Sequence, residues 1–185
     1  ELESWAAQLG SDIPFCVGGG TKLALGRGEE LEPLPDLDQL YAVLAKYKSL
    51  SVSTPWAYKS YREKFGDSYA RTAEAHETRR RTGPSVPLLK AMQAVDAQAI
   101  GTCIQNDLEK VVLAAHPQVR ALKDAFLRQN PLGAMMSGSG PTVFALTTTQ
   151  ADAETMLQVV QKEMNDPDLD LWVTRFAATG VVIPQ

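Results

Sequence analysis

Apolar positions change period several times along the chain, and each change marks an element. Near the start, Leu2, Trp5, Ala6 and Leu9 recur every three to four residues, the spacing of one helical face, and Gly10 reads as its stop. The next stretch, SDIPFCVGGG, breaks that period: Pro14 biases Ile13 toward extended angles, which sets Asp12 on a non-helical connector. Two short strands are predicted at 21–25 and 30–34, separated by the turn signal Gly26-Arg27-Gly28. Residues 40–52, LYAVLAKYKSLSV, are apolar and rich enough in strand formers to predict a buried strand.

Helical signals dominate after residue 52. Thr54 suits an N-cap and Pro55 the first helical position. Residues 66–85 are polar without a clear period, and predict a mobile loop with at most a frayed helix. Helices are predicted at 86–94, 96–112 and 117–128, the second open to a break at Gly101 or at Asn106-Asp107. Strands at 133–136 and 142–147 flank the turn SGSGP. Met156, Leu157, Val160 and Met164 share a face of a helix over 151–164, followed by a strand over 169–177 and an extended segment over 181–183. From about residue 50 the order is strand, several helices, strand, strand, helix, strand. That order predicts an α+β fold, an antiparallel sheet covered by helices.

Composition narrows the function classes. The chain has 185 residues, 44% of them hydrophobic and 22% charged, which is enough to bury a core in one large domain or two small ones. A net charge of −4 argues against a general pull toward nucleic acid or anionic membrane. The basic run HETRRR, 76–81, reads either as a solvated loop or as a local attraction for an anion. No stretch approaches the roughly 20 apolar residues that span a bilayer. Cys16 and Cys103 form no metal-ligand spacing and no disulfide framework, which fits a reducing compartment. His76 and His116 offer no paired ligand spacing, so no protein-built metal site is expected. The chain starts without Met or a signal peptide and reads as a piece of a longer protein.

Three groups carry candidate chemistry. Asp12, held between a helix end and Pro14, either accepts a proton from a substrate hydroxyl or caps a turn. Thr54, Trp56 and Tyr58 lie early on one helix, where an aromatic ring either stacks on a flat base or packs against the protein. Ser137, Gly138, Ser139 and Gly140 form either a plain hairpin turn or a cradle of amide donors for an anion. The turn is no Walker motif, since no G-x-x-x-x-G-K-[ST] is present.

Two stretches taken together resemble one family. LGSDIPFCVGGGTKLALGRGEELEPL resembles the second signature region of the 4-diphosphocytidyl-2-C-methyl-D-erythritol kinases, and MSGSGPTVFAL looks like their third. The third region alone marks only the wider superfamily of galactokinase, homoserine kinase, mevalonate kinase and phosphomevalonate kinase. LAKYKSLSVSTPWAYKSYR between them is similar to the cytidine-diphosphate branch. The resemblance implies transfer of the γ-phosphoryl of ATP, with Mg2+, to the 2-hydroxyl of 4-diphosphocytidyl-methylerythritol, a step of the non-mevalonate route to isoprenoid precursors. It implies that Asp12 orients or deprotonates that hydroxyl, that Thr54 and Tyr58 line a cytidine pocket with Tyr58 stacked on the base, and that Ser137, Gly138, Ser139 and Gly140 hold phosphate oxygens.

The resemblance further implies a ferredoxin-like C-terminal, substrate-binding domain at 51–185, preceded at 1–50 by the tail of a nucleotide-binding domain. The family's first signature, its glycine- and serine-rich ATP-phosphate loop, and its lysine are not found in this sequence. These 185 residues alone are therefore expected to be inactive. The expected setting is the cytoplasm, or the plastid stroma in a plant or alga, with a small-molecule substrate and neither nucleic acid nor membrane as partner. Another kinase of the superfamily and a non-catalytic ferredoxin-like binding module are the competing readings.

Overall fold

The structure is a computed structural model and describes residues 2–26 and 28–182, without the side chains of residues 3, 4, 68, 76 and 80. Helices α1 (Leu2–Leu9) and α2 (Ile13–Gly18) lead into the hairpin of β1 (Thr21–Leu25) and β2 (Glu30–Leu34), which pair antiparallel with Thr21 opposite Leu34. Ile13 is helical rather than extended, and Pro14 sits in the first turn of α2. Proline there forfeits an N–H that no helical carbonyl needs, and this offsets the steric bias it places on the preceding residue. Arg27 and Ile183, which fall in the predicted turn and the predicted last extended segment, lie outside the described residues.

β3 (Tyr41–Tyr47) follows, and it is shorter than the predicted 40–52. Residues 48–53 leave the strand because they bend toward helix α3 (Thr54–Phe65), with Ser49 held by Asp168 through its backbone N–H (3.1 Å). Next come a 3₁₀ turn at Gly66–Ser68 and helix α4 (Ala73–Thr82). The ordered ten-residue α4 corrects the loop predicted for 66–85. Thr72 caps it by accepting from the Ala75 N–H at 3.1 Å, and Arg81 reaches back one turn to Glu77 at 2.8 Å. A helix held by caps and surface pairs shows no apolar period.

Helix α5 (Val86–Gln93) precedes α6 (Ala97–Cys103) and α7 (Glu109–Ala115), so the predicted helix 96–112 is two helices parted at residues 104–108. The break falls at Asn106-Asp107, and Gly101 stays helical. Gly101 is needed for another reason: a Cβ there would lie 2.2 Å from the Leu132 carbonyl oxygen. The chain continues with α8 (Pro117–Leu127), β4 (Gly133–Met136), β5 (Val143–Thr147), α9 (Gln150–Met164) and β6 (Leu169–Arg175).

The four later strands form one antiparallel sheet in the order β4-β5-β3-β6. Taken from β3, the chain runs β, helices, β, β, α, β, with β3 and β5 in the middle: the ferredoxin-like arrangement. β3 precedes residue 50, so the sheet draws on both sides of the division drawn there from the sequence.

Strand alternation assigns the two faces. Val43, Ala45 and Tyr47 of β3 and Val143 and Ala145 of β5 join α7, α8 and α9 in the larger core, where Phe126, Leu122 and Val160 are fully buried. Each such side chain contributes about 1.5–3 kcal/mol relative to exposure. Ala42 and Leu146 point the other way, into a smaller core closed by Ala91 of α5 and Ile100 of α6. The tail after β6 returns to the N-terminal helices, where the Val181 N–H donates to the Cys16 carbonyl at 3.2 Å.

Candidate functional site

The turn between β4 and β5 is the best-defined part of the site. The Ser137 N–H donates to the Thr142 carbonyl at 2.8 Å, and the Gly140 N–H to the Ser137 carbonyl at 2.9 Å. Gly138 and Gly140 adopt φ of 55° and 79°, in the left-handed region that favours glycine. Around Gly138 there is open space, with no atom within 4 Å of a built Cβ. A Cβ on Gly140 would instead come 2.6 Å from the buried Met136 sulfur.

Helix α3 brings the second group to this turn. Ser53, rather than Thr54, is its N-cap, with the Ser53 hydroxyl accepting from the Trp56 N–H at 3.4 Å. Thr54 thus begins the helix with its hydroxyl uncommitted to capping. That hydroxyl meets the Ser139 hydroxyl at 2.8 Å. One turn on, Tyr58 is 55% exposed and lines a cavity of about 450 Å3 together with Tyr61, Tyr69, Asn106 and Gly138. Trp56 takes a different role: its ring packs edge-on against His116, with centroids 5.8 Å apart. Thr54, Tyr58 and the Ser137–Gly140 turn therefore belong to one locale.

Asp12 stands apart among the described residues. It occupies the N-cap position of α2 without a side-chain capping bond, is exposed, and has its carboxylate beside Gly28 of the hairpin. No described hydrogen bond or cavity links it to Thr54, Tyr58 or the turn.

Two further residues hold the turn: Asn106, a possible break in the helix expected over 96–112, and Glu109, expected inside that helix. Asn106 donates from Nδ2 to the carbonyls of Met136 (2.8 Å) and Gly138 (2.7 Å), while its Oδ1 accepts from the Leu108 N–H (2.9 Å). Glu109 accepts the Met136 N–H at 2.8 Å through Oε1 and pairs through Oε2 with Lys123 at 2.6 Å. The available signal was the helix-breaking Asn106-Asp107 pair, whose long-range partners only the fold reveals.

Lys110 lies over the rings of Tyr61 and Phe65, at 5.7 and 5.6 Å, and its hydrogen bond to Asp107 raises its pKa above the ordinary lysine value. That cation steadies the aromatic wall on the α3 side. Among the described residues no group of three or more His, Cys, Asp or Glu is placed to hold a metal ion. No helix among them is long and apolar enough to cross a membrane.

The chain is similar to known proteins in sequence and in fold. Residues 88–166 match the family described as GHMP kinases C terminal. The chain is 61% identical over 181 residues to the 4-diphosphocytidyl-2-C-methyl-D-erythritol kinase of Acaryochloris marina, an alignment covering 98% of this chain and 58% of that protein. It is 50% identical over 183 residues to the protein of the same name from Trichodesmium erythraeum, covering 99% and 58%. The chain thus spans a little over half the length of the relatives it matches. Among solved structures, homoserine kinase from Cytophaga hutchinsonii superposes with a TM-score of 0.68 at 24% identity, covering 91% of this chain and 52% of that one. A 4-(cytidine 5'-diphospho)-2C-methyl-D-erythritol kinase superposes at 0.66 with 23% identity, covering 94% and 56%. At those identities the structures speak to the fold.

Proposed function

We propose that this chain is part of a GHMP kinase whose full-length form transfers the γ-phosphoryl of ATP to the 2-hydroxyl of 4-diphosphocytidyl-2-C-methyl-D-erythritol. The observation that carries the proposal is the meeting of α3 and the β4–β5 turn: Thr54 touches Ser139, and Tyr58 and Gly138 line one cavity. A flat cytosine suits the exposed Tyr58 ring, and base–aromatic stacking contributes about 1–3 kcal/mol. Phosphate oxygens suit backbone amides in a glycine turn. Phosphoryl transfer asks the protein chiefly for position and charge neutralisation, and this locale would place the cytidine end of the acceptor beside the phosphates of the nucleotide.

Asp12 is assigned to orient or deprotonate the acceptor hydroxyl, a role open to an exposed carboxylate without a capping bond. Mg2+ would arrive with the nucleotide, taking most of its oxygens from phosphates and water and one or two from carboxylates of the Asp12 type. We assign residues 1–50 to the tail of a nucleotide-binding domain and 51–185 to the substrate-binding part, with β3 shared in the sheet of the latter. We assign the enzyme to the cytoplasm, or the stroma in a plastid-bearing source, and expect the 185 residues alone to be inactive.

The test is phosphate transfer by the full-length protein in the presence of cytidine-diphosphate methylerythritol, with homoserine and mevalonate as competing acceptors. Transfer to the cytidine compound alone supports the reading. Preference for either competitor overturns it.

A further inference from the structure

We infer that Asn106 is a positioning residue that aims the backbone donors of the β4–β5 turn at the phosphate oxygens of the bound nucleotide; this rests on the kinase reading above. Both Nδ2 hydrogens are committed, to the Met136 and Gly138 carbonyls, and Oδ1 is committed to the Leu108 N–H. The orientation of the amide is dictated by its partners, since two carbonyls require the nitrogen and an N–H requires the oxygen.

The consequence follows from peptide geometry. In a trans peptide the C=O and N–H point in opposite directions. With the Gly138 carbonyl drawn onto Asn106, the Ser139 N–H of the same peptide is turned away from Asn106. Among the described residues neither the Gly138 N–H nor the Ser139 N–H has a hydrogen-bond partner, whereas Ser137 and Gly140 spend theirs inside the turn. No atom crowds the Gly138 side of this peptide. Two open donors on successive residues, beside a left-handed glycine, are the ingredients of the amide nests that anions occupy.

Glu109 reinforces the aim from the neighbouring residue. It fixes the Met136 N–H while its second oxygen is held by Lys123, with side chains only 14% and 20% exposed respectively. The β4 end of the turn is thereby gripped on both its N–H and its C=O. Lacking a spare hydrogen, Asn106 itself has no donor left for substrate, although it lines the cavity beside Tyr58.

The experiment uses the full-length protein. On saturation of the 15N-labelled wild type with a non-hydrolysable ATP analogue and Mg2+, the Gly138 and Ser139 amide resonances are expected to move; unmoved resonances overturn the inference. Asn106→Asp places a carboxylate against two carbonyls and Asn106→Ala removes the grip. Each is expected to lower kcat by about 100-fold, the scale of losing one preorganised donor, with KM for the cytidine substrate changed by less than about threefold. A loss carried by that KM makes Asn106 a substrate ligand and overturns the inference, as does an unchanged kcat. A wild type that binds the analogue at these amides yet phosphorylates no cytidine acceptor overturns the kinase reading and leaves the amide aim standing as an anion site.

Discussion

The hydroxyl oxygens of Thr54 and Ser139 lie 2.8 Å apart across 85 residues of sequence. This bond ties the first turn of α3 to the glycine turn, so the position of Tyr58 is referenced to that of the turn. An exposed hydrogen bond contributes about 1 kcal/mol, equivalent to roughly fivefold in a binding constant. On the proposed reading, Thr54→Val and Ser139→Ala in the full-length protein are each expected to raise KM for the cytidine substrate by about that factor. The double variant is expected to add less than twofold beyond either single change, because both remove one interaction. Full additivity in steady-state kinetics would show that the two hydroxyls act separately.

On the proposed reading, Tyr58 contributes its ring rather than its hydroxyl. Tyr58→Phe is expected to leave KM for the cytidine substrate within about twofold, while Tyr58→Ala raises it about 10- to 100-fold, the value of a lost stacking partner. Isothermal titration of cytidine diphosphate reads the same difference without chemistry.

The two turn glycines answer to different constraints. Gly138→Ala is expected to cost about 1 kcal/mol for a left-handed backbone and nothing for space. Gly140→Ala adds displacement of the Met136 sulfur from the core, bringing its cost to about 3 kcal/mol. Urea unfolding of the two variants should show Gly140→Ala with the lower midpoint at unchanged slope.

Tyr47 predicts an alkaline limb. Burial, helped by the nearby Asp166 and Asp168, raises its pKa above the ordinary value of 10.0. The unfolded chain then loses the phenol proton before the folded one does. The stabilisation is fully present below about pH 10 and is lost as pH rises through the folded value. Tyr47→Phe should flatten the fall in stability above pH 10, measured by denaturant midpoints across that range, and leave neutral pH little changed.

Much of the fold was legible because strands and amphipathic helices carry their own periods. The unbroken apolar run Tyr41 to Ala45 announces a buried strand, and Met156 and Val160 an inward helix face. The rest depended on partners distant in sequence. α4 was missed because its face meets water and its stability lies in Thr72 and the Glu77–Arg81 pair. The choice of Ser53 over Thr54 as N-cap was invisible locally, since both residues suit the role and only Ser139 distinguishes them. Of the candidate site, the aromatic and the glycine turn stood out in the sequence, each beside the plainer reading of packing or a hairpin turn. The grip of Asn106 could not, because Met136 and Gly138 lie 30 and 32 residues away.

The most direct measurement is transfer of label from γ-32P-ATP to 4-diphosphocytidyl-2-C-methyl-D-erythritol by the full-length protein and by its Asp12→Asn variant. The account predicts label on the 2-hydroxyl with the wild type, and a rate lower by about 10²- to 10⁴-fold with the variant, the span of general-base catalysis. Full activity with Asp12→Asn, or no labelled cytidine product from the wild type, would contradict it.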